Sequence, residues 1–182
     1  MSTGIISMRY AKALYDYAVE QGDEEGVYAD MKQLLYTLQT IKEIPVLLRD
    51  PMLPAKRREE LICAVSENSS SFKRFAHLVV KEERVELLLF IAHCFISLYR
   101  KRKGILFVSL TTAVPVTEAF KEKVAAMVKG TKEGTIEMDT AVDPSIIGGF
   151  VCDVDCRRFD ASVSTQLSNA RKRLVKLNRK LV

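Results

Sequence analysis

Asp143-Pro144-Ser145-Ile146-Ile147-Gly148-Gly149-Phe150-Val151, followed nine residues on by Asp160-Ala161-Ser162, is the stretch whose reading decides the fold. A glycine pair at the start of an apolar run permits positive φ or a bulge, or lets another backbone come close. Phe150 to Val154 and Arg157 to Phe159 then read as a hairpin. Asp160 reads as the N-cap of the helix that follows, with Ser162 beside it, since a carboxylate can accept from the free N–H groups of a first turn. These residues form no catalytic grouping. The pattern shapes the backbone.

Upstream of this stretch, Leu106, Val108 and Leu110 alternate and Thr111-Thr112 adds β-branched residues, which predicts a strand ended by Pro115. Thr117 then caps a helix with Phe120, Val124, Met127 and Val128 inward, stopped at Gly130. Ile136, Met138 and Val142 alternate with Glu137 and Asp139, the mark of a half-buried strand. Downstream, Val163, Leu167, Ala170, Leu174, Leu177 and Leu181 recur at steps of 4, 3, 4, 3 and 4, a coiled-coil seam. From Val163 to Val182 there are six Lys/Arg and no acid.

Before Gly104 the period is helical. Residues 4 to 21 place Ile6, Tyr10, Leu14, Tyr17 and Ala18 on one side of a helix, broken at Gly22-Asp23. Asp23 can cap the next helix, whose Val27, Met31, Leu34, Leu35, Leu38 and Ile41 follow the same period. Pro45 interrupts a short apolar piece, and Pro54 suits the first turn of a helix carrying Leu61, Ile62 and Val65. Ser71 is a candidate cap for a helix carrying Phe72, Phe75, Ala76 and Val79. An apolar helix over roughly residues 84 to 103 reads as the centre of the core. The expected fold is mainly α: a six-helix bundle over residues 1–103, followed by a small α+β domain over residues 104–182.

Composition narrows the function classes. The 182 residues suffice for one large domain or two small ones, and 48% apolar content suits a buried core. The longest apolar run, Leu87 to Ile96, falls well short of the roughly 20 residues of a membrane span. The start, Met1-Ser2-Thr3-Gly4, lacks the features of a secretory signal, so the four cysteines are expected to be free thiols in a reducing compartment. Gly130-Thr131-Lys132-Glu133-Gly134 lacks the Gly-Lys-Ser/Thr of a phosphate loop. Cys152 and Cys156 share a hairpin, but the two histidines, His77 and His93, lie in the helical part, so no zinc set assembles. The sequence therefore predicts no catalytic residue, no cofactor and no metal. Arg171-Lys172-Arg173, Lys176 and Arg179-Lys180 raise the alternative of a nucleic-acid adaptor. No aromatic residue interleaves with them, and cations at a helix C-terminus also favour its dipole, so no nucleic-acid partner is expected.

The residues also match a family. Arg9-Tyr10-Ala11-Lys12-Ala13-Leu14-Tyr15 is similar to the opening signature of the delta subunit of bacterial rotary ATP synthase, the family that includes the mitochondrial oligomycin-sensitivity-conferring protein. Leu47-Leu48-Arg49-Asp50-Pro51 and Tyr99-Arg100-Lys101-Arg102-Lys103-Gly104 resemble its mid-chain segments. The opening stretch, Gly148-Gly149-Phe150 with Asp160-Ala161-Ser162-Val163, resembles its most specific motif. The chain departs from the family at the hairpin tip, Asp155-Cys156-Arg157, where glycine is common.

The resemblance implies a non-catalytic stator. The N-terminal part would hold the N-terminal segment of an alpha subunit of the catalytic head. The C-terminal part would join the b subunits of the peripheral stalk. The protein would be peripheral to the membrane through that complex, on the cytoplasmic face of a bacterial plasma membrane, during proton-coupled ATP synthesis. An amphipathic helix of the head would lie in a groove between two helices. Tyr10, Leu14, Tyr15 and Tyr17 of the first helix are more than one inward face needs, and Phe72, Phe75 and Val79 mark the second wall. At the other end, Leu174, Leu177 and Leu181 would meet the stalk, while the Val163 end packs on the sheet.

Overall fold

The computed structural model describes residues 3–66, 69–129, 135–154 and 157–178. The chain is mainly helical with a small four-stranded sheet towards its C-terminus. It divides into two compact units, Met1–Arg102 and Lys103–Val182.

The first unit contains α1 (Thr3–Gln21), α2 (Glu24–Thr40), α3 (Glu43–Arg49), α4 (Ala55–Cys63), α5 (Ser70–Lys81) and α6 (Leu88–Lys103, which runs to the boundary). A short 3-10 turn, Val85–Leu87, leads into α6. Its core takes Ala11, Leu14 and Ala18 from α1, Val27, Met31 and Leu34 from α2, Phe72, Phe75 and Val79 from α5, and Ile91, Phe95 and Tyr99 from α6. Small side chains on α1, Ala11 and Ala18, allow neighbours to approach closely, and α1 packs against both α2 and α5. Tyr28 stacks on Tyr99 with centroids 4.1 Å apart, and Tyr15 meets both Phe95 and Tyr99. Burying one such aromatic side chain stabilises the fold by about 2 kcal/mol.

Polar contacts fix the position of α5. The sequence assigns Asp23 to the cap of its own helix and Ser71 to the cap of α5. Instead, Asp23 makes no side-chain cap bond to α2. Its carboxylate accepts from the Ser71 N–H at 3.4 Å and the Ser69 hydroxyl at 3.4 Å, and Ser69 is the N-cap residue. A carboxylate at the start of α5 answers the exposed N–H groups there, which is why this arrangement wins. Gly26 allows it: a Cβ there would lie 2.8 Å from the Asp23 carboxylate oxygen and 2.9 Å from the Ser69 hydroxyl. Deeper in, the Ser66 hydroxyl donates to buried Asp30 at 2.7 Å.

The second unit contains β1 (Leu106–Thr112), α7 (Glu118–Lys129), β2 (Ile136–Val142), β3 (Phe150–Val154), β4 (Arg157–Asp160) and α8 (Val163–Asn178). The order across the sheet is β2-β1-β3-β4. β1 and β2 are parallel, joined across α7, while β3 is antiparallel to both β1 and β4. Val108, Leu110, Val124 and Cys152 form the core, with Phe120, Val128, Ile136, Met138, Phe150 and Val154 against it. Met127, expected inward, is 74% exposed. The stripe Phe120, Val124, Val128 at steps of four already covers the narrow sheet face. Val142 at the end of β2 is also exposed. Gly130 and the hairpin tip Asp155-Cys156 lie outside the described residues.

Candidate functional site: an aromatic groove and an uncovered helix face

The groove lies between α1 and α5, about 380 Å³ in volume. Its floor is Leu14 and Phe75, both nearly buried. On the α1 side stand Tyr10, Ala13 and Tyr17, and on the α5 side Ser71, Arg74, His77, Leu78 and Lys81. The two walls follow from helical periods. Tyr10, Leu14 and Tyr17 are spaced by four and three along α1, and Arg74, Leu78 and Lys81 by four and three along α5. Leu78 is 44% exposed although it is a leucine beside a full core, so its side chain is open to a partner. The Arg74 guanidinium lies over the Tyr17 ring, 5.2 Å from its centroid, and donates to the Tyr17 hydroxyl at 3.1 Å. The His77 Nδ1 sits 3.2 Å from Glu59 of α4.

Four residues expected for this surface come together there: Tyr10, Leu14, Tyr17 and Phe75. Three do not. Tyr15 turns to the opposite side, packing on Phe95 and Tyr99 with the Arg102 guanidinium 5.9 Å over its ring. Phe72 and Val79 have no exposed surface. The reason is one of angle: residues one apart on a helix differ by about 100°, so Tyr15 cannot share a wall with Leu14 and Tyr17. Arg74 and Lys81 were missed because a charged residue on a helix reads first as solvated surface, and Leu78 because an apolar residue on a helix reads first as core. Their common spacing was the available signal.

The second surface is α8. Leu167 is 57% and Leu174 67% exposed, and Ala170 between them is exposed too. Val163 is half-buried and its Cγ2 lies against Gly148. The side chain of Leu177 and the whole of Leu181 lie outside the described residues.

The start of α8 explains the opening motif, whose two halves touch. The Val163 N–H donates to the Gly148 carbonyl at 2.9 Å, and the Ala161 N–H to the Phe150 carbonyl at 2.9 Å. Gly149 has φ +76°, and a Cβ on it would overlap the Ala161 carbonyl oxygen. Positive φ therefore belongs to Gly149 rather than Gly148, and also to exposed Ile147 at φ 67°. Ser162, not Asp160, sits at the N-cap position: its hydroxyl accepts from the Thr165 N–H at 3.2 Å. Asp160 ends β4 and braces that cap, accepting from the Ser162 N–H at 2.9 Å and the Thr165 hydroxyl at 2.9 Å. Those bonds, the Ser162 one foremost, hold the Asp160 carboxyl below its ordinary pKa. Asp143 is likewise lowered by its bond from Ser145 N–H. The thiols of Cys63, Cys94 and Cys152 are pushed up, first by burial.

Among the described residues no helix is long and apolar enough to cross a membrane. The solved structure of a Toxoplasma gondii mitochondrial ATP synthase hexamer contains a chain that superposes with a TM-score of 0.73 at 20% identity, covering 93% of this chain and 97% of that one. That likeness bears on the fold. In sequence, the chain is 40% identical to the ATP synthase subunit delta of Bacteroides fragilis and 38% identical to that of Phocaeicola vulgatus, in each case over 100% of both chains. It is 30% identical to the ATP synthase subunit delta of Prochlorococcus marinus over 89% of this chain and 92% of that one. The model of the family described as ATP synthase delta (OSCP) subunit matches residues 6–174, from the first turns of α1 to the exposed leucine of α8. A match that runs through both units and takes in the groove helices and the glycine motif alike places this chain in the ATP synthase delta (OSCP) subunit family.

Proposed function

We propose that this protein is a non-catalytic stator subunit of a rotary ATP synthase, with a helical N-terminal bundle that grips the catalytic head and a C-terminal part that joins the peripheral stalk. A connector that resists torque needs two separate adhesive surfaces, each on a well-packed base. The groove between α1 and α5 carries the reading. It has an apolar floor, a tyrosine wall on α1 and the exposed Leu78 on α5, and a groove between two helices is how an amphipathic helical segment of a partner is commonly held. The occupant in this reading is the N-terminal segment of an alpha subunit. The leucine face of α8 is the surface for b subunits, because a seam of this spacing packs naturally on other helices. The protein would then sit at the cytoplasmic face of a bacterial plasma membrane, attached through the complex, and serve proton-coupled ATP synthesis without binding a cofactor.

The test is a titration of the full chain with the alpha N-terminal segment. Tyr17→Ala and Leu78→Asp are expected to weaken binding at least tenfold, since truncating a central aromatic anchor typically costs 2 kcal/mol or more, roughly thirtyfold in affinity. Unchanged affinity in both variants would contradict the groove assignment.

A further inference from the structure

We propose that the groove selects its helix by charge as well as by shape: the occupant is an amphipathic helix whose apolar stripe is bordered, on the side facing α5, by acidic side chains about seven residues apart. This rests on the groove being the docking site for the head.

The lining holds three ionisable side chains besides its tyrosines, Arg74, His77 and Lys81; all three are on α5 and all are basic. Arg74 and Lys81 are two helical turns apart, about 10 Å along the axis, which equals the spacing of residues i and i+7 on a partner helix. Arg74 is already held in place, stacked on Tyr17 and bonded to its hydroxyl. That contact uses part of its fork of donors and leaves the rest for a carboxylate, with little further side-chain entropy to lose. His77 between them is engaged by Glu59, so the two-point cationic edge is Arg74 and Lys81.

The opposite lip is not basic overall. Arg9, Lys12, Asp16 and Glu20 recur at helical spacing on the outer side of α1, and all four are exposed. Two cations and two anions leave that lip without net charge. The two lips therefore set the roll of the bound helix. Acidic side chains over α5 are attracted, and the same helix rolled to place them over α1 loses that attraction.

The test uses the full chain and synthetic helical peptides that share one apolar stripe. Two border positions seven apart carry Glu, Gln or Lys, and the alpha N-terminal segment serves as reference. Fluorescence anisotropy at low salt is expected to rank Glu above Gln above Lys, with about a tenfold step from Glu to Gln. The step should collapse at 1 M salt, where the Debye length is about 3 Å. Arg74→Gln with Lys81→Gln should abolish the ranking, and Arg74→Glu with Lys81→Glu should reverse it. Both positions are exposed, so circular dichroism should report unchanged helicity. Equal affinities for the three peptides while the alpha segment binds would overturn the charge selection and leave the docking site standing. A ranking that survives the double Gln variant would also overturn it. If neither the alpha segment nor any peptide binds the folded chain, the groove reading fails and this inference fails with it.

Discussion

In α5, Phe72 and Val79 are fully buried and Phe75 nearly so, while in α8 the leucines at 167 and 174 stand more than half in solvent. Both helices show apolar residues at steps of three and four, and both carry Lys and Arg on the remaining face. One has its apolar face covered by the rest of its unit, and the other leaves its face open beyond Val163. Helical periodicity thus reveals that a sticky face exists, and the tertiary structure decides whether the chain itself or a partner covers it.

That contrast can be broken or sharpened by substitution. The largest effect is expected at Phe72. Phe72→Ala opens a cavity in the first unit and should cost about 3–5 kcal/mol in equilibrium unfolding by denaturant. Next comes Gly149→Ala, which combines positive φ with overlap on the Ala161 carbonyl and should cost about 3 kcal/mol or more in the second unit. Gly148→Ala meets only the Val163 side chain, nearest at Cγ2 at 3.2 Å, and should cost about 1 kcal/mol or less, so a reversed order in thermal unfolding would contradict the geometry. Asp23→Ala removes the cap of α5 and should cost about 1 kcal/mol, with weaker binding in the groove. On the other side of the comparison, Leu167→Ser and Leu174→Ser should leave unfolding within about 0.5 kcal/mol of the parent while greatly weakening capture of b subunits. Loss of folding in those two variants would mean the α8 face is covered within the chain.

The brace at Asp160 adds a pH signature. Its carboxyl is lowered in the folded state, so its stabilisation is present above the unfolded carboxylate pKa of about 3.9 and is lost as pH falls through the lower folded value. Asp160→Asn should flatten the acid limb of unfolding for the second unit.

Much of this was readable in advance. Long periodic segments such as α1, α2 and α6 declared themselves, and so did β1 with its strict alternation, because burial of one face imposes the period. The glycine motif was legible as backbone geometry, but which glycine takes positive φ was not. That choice depends on the Ala161 carbonyl, which only the fold brings near. The parallel pairing of β1 with β2 follows from the strand–helix–strand order across α7, whereas the placement of β3 beside β1 is a long-range contact with no local signal. Asp23 capping α5 instead of α2 is a third case, set by Ser69 meeting it across the fold in the room that Gly26 leaves. Within the groove, Tyr10 and Tyr17 were separable from Tyr15 by angle alone, whereas Arg74 and Lys81 became meaningful only once α1 lay opposite them.

In the proposed role the two units present two different docking surfaces to two different neighbours. Photo-cross-linking in the assembled synthase tests it most directly, with a photoreactive residue replacing Leu78 in one strain and Leu174 in another. The Leu78 position is expected to capture an alpha subunit and the Leu174 position a b subunit. Capture of the same neighbour from both positions, or an exchange of the two, would contradict it.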